Sequence, residues 1–317
     1  MERLSLIPLN QTLKGFRKFI STWMYTLDDL TIMVDPGPRS TVPFLVEALK
    51  KQEVKKIDYI LLTHIHIDHA GGTGLLLQYY PEAQVICHPQ AIRHMIAPER
   101  LWEGSRKVLG EVAEAYGEIV PVPANSLQYQ EYIKTGETAI TVIQTPGHAS
   151  HHLCYQIGGV LFAGEVAGVT YPLDQGLYLR IATPPVFNYE IYRNSLERIA
   201  ARKISQICFG HYGSRQDAEN VFNAAFVQLD NWLTITEKHH LARSEPFEEH
   251  VFADLLKNDR GLVRYYELPS DIQAREKYFA INSIRGIREY LRGENDENKK
   301  KRYTSAHNIP SFTLRDR

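Results

Sequence analysis

No stretch of the 317 residues approaches the run of about 18 consecutive apolar residues that a membrane-spanning helix needs. The opening MERLSLIPLNQTLKGF also lacks the sustained apolar segment of a secretory leader, so a soluble, cytoplasmic protein is expected. Cysteine is scarce. Cys87, Cys154 and Cys208 are odd in number, widely spaced and each set in an apolar, strand-like segment, which argues against a disulfide framework and for reduced core residues. Neither charge sign dominates, with 36 Lys and Arg against 37 Asp and Glu, so composition makes no case for a nucleic-acid partner or an anionic membrane surface. Internal repeats and low-complexity blocks are missing too, which sets repeat architectures aside.

What is present reads as layered α/β. Phe19 to Tyr25, a turn at Asp28-Asp29, and Leu30 to Val34 predict a hairpin halted by Pro36-Gly37. Ser40 offers an N-cap to a helix carrying Val42, Leu45, Val46 and Leu49, and Ile57 to Leu62 follows as a buried strand. A short helix over Gly72 to Tyr80, a strand over Gln84 to Cys87 and one helix over Arg100 to Tyr116 come next. Strands are expected at Thr138 to Gln144, Leu153 to Ile157, Val160 to Ala163 and Ser205 to Phe209, with a helix near Tyr189 to Ala201 before the last. After Gly213 the strand signals stop and three helices follow. The third has Ser270 and Gln273 spaced as a capping box, carries Ile272, Phe279, Ile284, Ile287 and Leu291, and is expected to end before Gly293. This divides the chain into a main domain over 1–213, a helical extension packed on it over 214–292, and a charged, solvated tail over 293–317.

The decisive string is Thr63-His64-Ile65-His66-Ile67-Asp68-His69-Ala70-Gly71-Gly72, between a buried strand and a helix. In extended chain, side chains two apart share a face, so His64 and His66 can chelate one ion while the chain turns at Asp68 and His69 toward a second. Gly71 and Gly72 are read as allowing turn conformations that a Cβ would forbid and a close backbone approach. A lone histidine is usually a surface or satisfied core residue; three histidines and an aspartate within six residues are a metal site.

The pattern T-H-x-H-x-D-H after a hydrophobic strand resembles the metal-binding signature of the metallo-β-lactamase superfamily. Its companions stand in order: Val34-Asp35-Pro36-Gly37 is similar to the first family motif, Thr145-Pro146-Gly147-His148 to the third, Phe162-Ala163-Gly164-Glu165 to the fourth and Gly210-His211 to the fifth. The resemblance covers about residues 19 to 212 and implies a four-layer αββα sandwich. It implies one metal held by His64, His66 and His148, a second by Asp68, His69 and His211, and a bridge at Glu165, where the family usually has aspartate. It places Asp35 beneath the site as a hydrogen-bond acceptor. His151 and His152 divide evenly between loop residues and a supporting or substrate role, and Cys208 is read as core.

Nitrogen and oxygen ligands without cysteine suit zinc, iron or manganese. The implied activity is hydrolysis at a carbonyl or phosphoryl centre by a hydroxide on two metals, with Asp68 steering it. Esters and thioesters of a small-molecule substrate are favoured, because the helical extension resembles that of the quinolone-signal-pathway thioesterase-like members. Tyr171, Tyr178, Arg180 and Tyr212 are candidate substrate contacts. Two other classes stay open: a flavodiiron-like oxidoreductase, disfavoured by His66 and the missing flavin domain, and a non-catalytic metal-containing effector. No nucleic acid or membrane partner is expected; a homodimer is allowed.

Overall fold

A computed structural model describes residues 3–27, 30–135 and 138–294. The Asp28-Asp29 turn and the tail from 295 lie outside the described residues.

Two six-stranded sheets pack face to face. The first runs β1 (Arg3–Pro8), β2 (Ser21–Leu27), β3 (Leu30–Val34), β4 (Tyr59–Leu61), β5 (Gln84–Ile86) and β6 (Leu127–Gln128) in sequence order, antiparallel up to β3 and parallel thereafter. The second is built from β7 (Tyr132–Thr135), β8 (Thr138–Gln144), β9 (Leu153–Ile157) and β10 (Val160–Gly164). A two-stranded ribbon, β11 (Val169–Tyr171) and β12 (Tyr178–Arg180), precedes its last members, β13 (Gln206–Phe209) and β14 (Ser214–Arg215). Its order is β14-β13-β10-β9-β8-β7.

Side-chain alternation sorts the cores. Trp23, Tyr25, Ile32, Val34 and Leu61 meet Leu153, Tyr155, Phe162 and Cys208 between the sheets. The alternate residues Met24, Met33, Ile60 and Leu62 face outward under the first helical layer. That layer is α1 (Val42–Lys51), α2 (Ile67–Ala70), α3 (Thr73–Leu76), α4 (Pro89–Ile96), α5 (Glu99–Leu109) and α6 (Glu111–Tyr116). On the far side Cys154, Leu161, Ala163, Ile207 and Phe209 are covered by α7 (Tyr189–Ala200) and the first half of α8 (Ala218–Leu241). The result is the four-layer αββα order. All three cysteines are buried and free.

The second half of α8 leaves the sheet to pack with α9 (Phe247–Asn258) and α10 (Ser270–Glu294), where Leu229, Trp232, Val251, Leu255, Ile284 and Ile287 form a separate core. Among the described residues no helix is long and apolar enough to cross a membrane.

Several boundaries differ from expectation. The helix over Arg100 to Tyr116 is two helices, because Gly110 takes φ 55 and breaks the axis. Ser40 lies in a short 3-10 turn and donates toward Gln11 Oε1, so Thr41 takes the cap position of α1. The capping box does not close at α10: Ser270 is already helical and Gln273 turns its amide back to the Leu268 carbonyl at 2.7 Å. α10 also runs through Gly293 to Glu294. β1 went unread, and strand structure does not stop at Gly213, since β14 follows it.

Candidate metal centre

β3 and β4 run parallel, and β8 and β10 both run antiparallel to β9, with β13 parallel to β10. The C-terminal ends of β3, β4, β8, β10 and β13 deliver Asp35, the His64–His69 loop, His148, Glu165 and His211 to one edge of the sandwich. The donor atoms of His64, His66, His148 and Glu165 lie within 4.8 Å of one another, as do those of Asp68, His69 and His211. Glu165 stands between the groups. Its Oε2 is 2.9 Å from His148 Nε2 and 3.4 Å from the Nε2 atoms of His64 and His69, while Oε1 is 3.4 Å from His211 Nε2.

The outward nitrogens show which faces point inward. His148 Nδ1 meets the Ala182 carbonyl at 3.0 Å, His211 Nδ1 the Phe19 carbonyl at 3.3 Å, and His69 Nδ1 the Asp35 carboxylate at 3.0 Å. His64 Nδ1 meets Thr63 Oγ1 at 3.0 Å, and that hydroxyl spends its own proton on Asp35 Oδ2 at 2.6 Å. Each partner is an acceptor, so the hydrogen-bond network assigns a ring proton to each outer nitrogen and leaves the Nε2 lone pairs of His64, His148 and His211 aimed at the centre, with His69 Nε2 joining them once its second proton leaves. His69 Nε2 and His211 Nε2 are 3.3 Å apart, and His66 Nδ1 is 3.0 Å from His148 Nε2. His64 Nε2 is buried with no hydrogen-bond partner among the described residues. Lone pairs crowded onto lone pairs beside two carboxylates fit a cation.

Electrostatics agree. Burial pushes His64 well below the ordinary imidazole value and His66 down to about 4, so both are neutral. Burial alone would raise Glu165, but His148 and His211 hold it well below the usual carboxylate range. Burial opposes the charge on His69 too, yet Asp68, Asp35 and Glu165 hold its pKa well above 6.5 without an ion. A metal entering there must displace that proton.

The supports are as defined as the cluster. Asp35 is buried and takes the Thr63 N–H at 2.8 Å besides the Thr63 hydroxyl and His69, as expected for an acceptor beneath the site. His152, left open by the sequence, is fully buried and neutral, driven well below its usual value by burial. It pairs with Thr145 Oγ1 at 2.8 Å and accepts the Glu165 backbone N–H at 3.1 Å. Its position beside the strand start at Leu153 was the available signal. Gly164 has φ +52, and a Cβ there would stand 2.4 Å from His152 Nε2, so only glycine lets Glu165 follow. Gly72 corrects the expectation in part. Both Gly71 and Gly72 have ordinary right-handed conformations, and at Gly72 space is the constraint, since a Cβ would come 2.9 Å from the Gly37 carbonyl.

Above the cluster opens a cavity of about 280 Å³. Its floor is His66, Asp68, His148, Glu165 and His211; its walls come from α5, α10, Phe19 and Tyr116. Of the candidate substrate contacts, the structure brings only Arg180 to this wall. Tyr178 donates to Glu276 Oε2 at 3.0 Å, Tyr171 lies under the Arg275 guanidinium, and the Tyr212 backbone carbonyl accepts from Thr170. Tyr178 and Tyr171 thus brace a buried ionic knot, and Tyr212 stands apart from both knot and cavity lining. In that knot Arg180 and Arg275 clasp Glu276 at 2.7 and 2.8 Å. Arg275 also sits 4.2 Å over Phe19, which stacks on His211 at 4.2 Å.

The helices reach the site through the 181–184 segment as well. Gln228 of α8 accepts the Ile181 N–H at 2.7 Å, and Ser283 of α10 accepts the Thr183 N–H at 3.2 Å, on either side of the Ala182 carbonyl that orients His148.

Residues 15–211 match the family described as Metallo-beta-lactamase superfamily. A metallo-beta-lactamase fold-containing protein of Sulfurisphaera tokodaii is 30% identical over 210 residues, 62% of this chain and 74% of that one. A hydroxyacylglutathione hydrolase of Aeromonas hydrophila is 29% identical over 147 residues, 45% of this chain and 44% of that one, so the chain spans under half of that relative's length. An archaeal metallo-beta-lactamase superfamily protein of Sulfolobus tokodaii superposes with TM-score 0.66 at 23% identity, over 91% of this chain and 99% of that one, which shows shared fold. With the ordered motifs, the two-sheet sandwich and the match over residues 15–211, the chain belongs to the metallo-beta-lactamase superfamily and carries a C-terminal helical extension beyond the matched region.

Proposed function

We propose that the chain is a metal-dependent hydrolase that opens an ester or thioester bond over a pair of divalent ions. The observation that carries this is the inward set of imidazole lone pairs, with Glu165 between two donor groups at the floor of a cleft. His64, His66 and His148 would hold one ion and Asp68, His69 and His211 the other, with Glu165 placed between the two groups. Zinc, iron and manganese all suit these ligands. When bound, the pair activates a water and polarises the carbonyl it attacks.

The chain's own groups do the rest. Asp68 has the most open side chain of the three carboxylates, 14% exposed against 7% for Glu165 and 3% for Asp35. It faces the incoming water and orients it by accepting a hydrogen at Oδ2. Arg180 supplies a fixed positive charge on the wall toward which a developing oxyanion is drawn. The Aeromonas relative is by name a hydrolase of an acylated glutathione, which supports a carbonyl over a phosphoryl centre at the level of reaction class.

Elemental analysis of purified protein, with one thioester and one phosphodiester assay and the His66→Ala variant, tests this. Near two metals per chain, thioester turnover, and loss of both in the variant are expected. Protein that takes up no metal on reconstitution overturns it.

A further inference from the structure

The cleft walls carry more information than the floor. α5 has no buried residue, yet Leu101, Ser105 and Val108, spaced four and three apart, put one of its faces on the cavity. Val108 is 60% exposed. Opposite, Phe279 and Ser283 of α10 do the same, and Phe19 closes the side, stacked on Phe279 at 5.2 Å. Leu101 and Phe279 back onto the first core while their remaining surface, with Val108, faces the cavity, and apolar surface turned to a cavity is what a ligand covers.

Charge narrows the ligand. The cationic side chains on the walls are Arg100, which is exposed at the rim, and Arg180, which is 2% exposed. Arg180 already spends its Nε on Glu276, and with Arg275 it leaves the buried knot one positive charge in excess. A phosphodiester polymer needs a row of cations. A glutathione conjugate brings two carboxylates and an ammonium, each requiring a partner once out of water. The walls supply neither set, but they do suit an uncharged hydrocarbon body with one developing or product carboxylate beside Arg180.

We infer that the cleft between α5 and α10 is an acyl pocket, selecting ester or thioester substrates by an extended apolar acyl group and not by a peptidic or phosphorylated leaving group. This rests on the hydrolase assignment for turnover, but not for binding.

The experiment uses full-length, metal-loaded protein and N-acetylcysteamine thioesters with acyl groups of two, four, six, eight and ten carbons, beside S-lactoylglutathione. A buried methylene is worth about a three- to fourfold gain. kcat/KM is therefore expected to climb by about that factor per carbon until the pocket is filled, and to exceed that for S-lactoylglutathione at least tenfold. Val108→Asp is expected to cut the eight-carbon to two-carbon ratio about tenfold or more, while Tyr132→Asp, exposed on the far sheet, leaves it unchanged. Calorimetry with octanoate and acetate on metal-free protein supplies a readout without turnover, with octanoate binding at least tenfold more tightly and Val108→Asp removing the difference. Turnover with a flat series, or with S-lactoylglutathione preferred, overturns the acyl pocket and leaves the hydrolase standing. Octanoate selectivity with no turnover of any ester or thioester supports the pocket and overturns the hydrolase.

Discussion

The floor and the walls of one cleft are built on opposite principles. The floor is polar, drawn from five strand ends of two sheets, and its rings are fixed from outside: the Nδ1 atoms of His64, His69, His148 and His211 each have an assigned partner while their Nε2 atoms turn inward. The walls are mostly apolar, drawn from helices, and on the α5 side held by few contacts of their own. Reactivity needs fixed donors and is therefore written into the sheet framework; selectivity needs only surface of a given character, which helices can present without disturbing the donor cluster. Glu276 joins the two, since its arginine partners touch the wall through Arg180 and the floor through Phe19 and His211.

The largest effect should come from the floor. His66→Ala is expected to lower kcat/KM by a factor on the order of 10³, because an ion it helps hold stabilises the reacting centre by several kcal/mol. Elemental analysis should show metal lost in parallel; activity lost with both ions retained would detach the floor from metal binding. Next is the joint. Glu276→Gln strands two buried guanidinium groups and should cost about 3–5 kcal/mol of stability at neutral pH. Burial alone would raise the Glu276 pKa, but Arg180 and Arg275 hold it at about 2. Because that value is depressed in the folded state, the contribution is complete above the unfolded value near 4.5 and is lost as pH falls toward about 2. Melting curves of the two proteins should converge over that window, and a gap constant with pH would show the knot to be packing and not charge.

Asp35→Asn keeps the shape beneath the floor but weakens the hold on Thr63 and His69, with about a 10- to 100-fold loss of metal affinity in chelator competition. Ser283→Ala is the mildest probe. It removes the hydroxyl held between Ile181 and Thr183, worth about 1 kcal/mol. A few-fold change in kcat/KM is expected, with metal content unchanged; no change would mean that α10 walls the cleft without steering His148.

The His64–His69 part of the floor was legible because its candidate ligands form one short string at a strand end, where chain direction and period fix what they face, whereas His148, Glu165 and His211 were legible only through the ordered motifs of the family resemblance. Asp35 was placed by the same resemblance. The walls were not. Nothing local tells that Arg180 will meet Glu276, 96 positions later, or that Tyr178 and Tyr171 will turn to that knot. The split at Gly110 was missed because glycine is tolerated inside helices and the apolar pattern runs on past it. β1 was missed because Arg3–Pro8 is a short edge strand ending in proline, with little burial to betray it.

The clamp on residues 181–184 decides what can be exchanged between relatives. Gln228 and Ser283 grip the backbone whose Ala182 carbonyl orients His148, and Gly286 lets α10 approach so closely that a Cβ there would fall 2.0 Å from the Thr183 carbonyl oxygen. A chimera cut at residue 213 would part the two sides of that grip. The transplantable unit is the three C-terminal helices together with the 178–184 strand and loop they hold, so recombination that keeps this unit whole is the kind that preserves the orientation of His148.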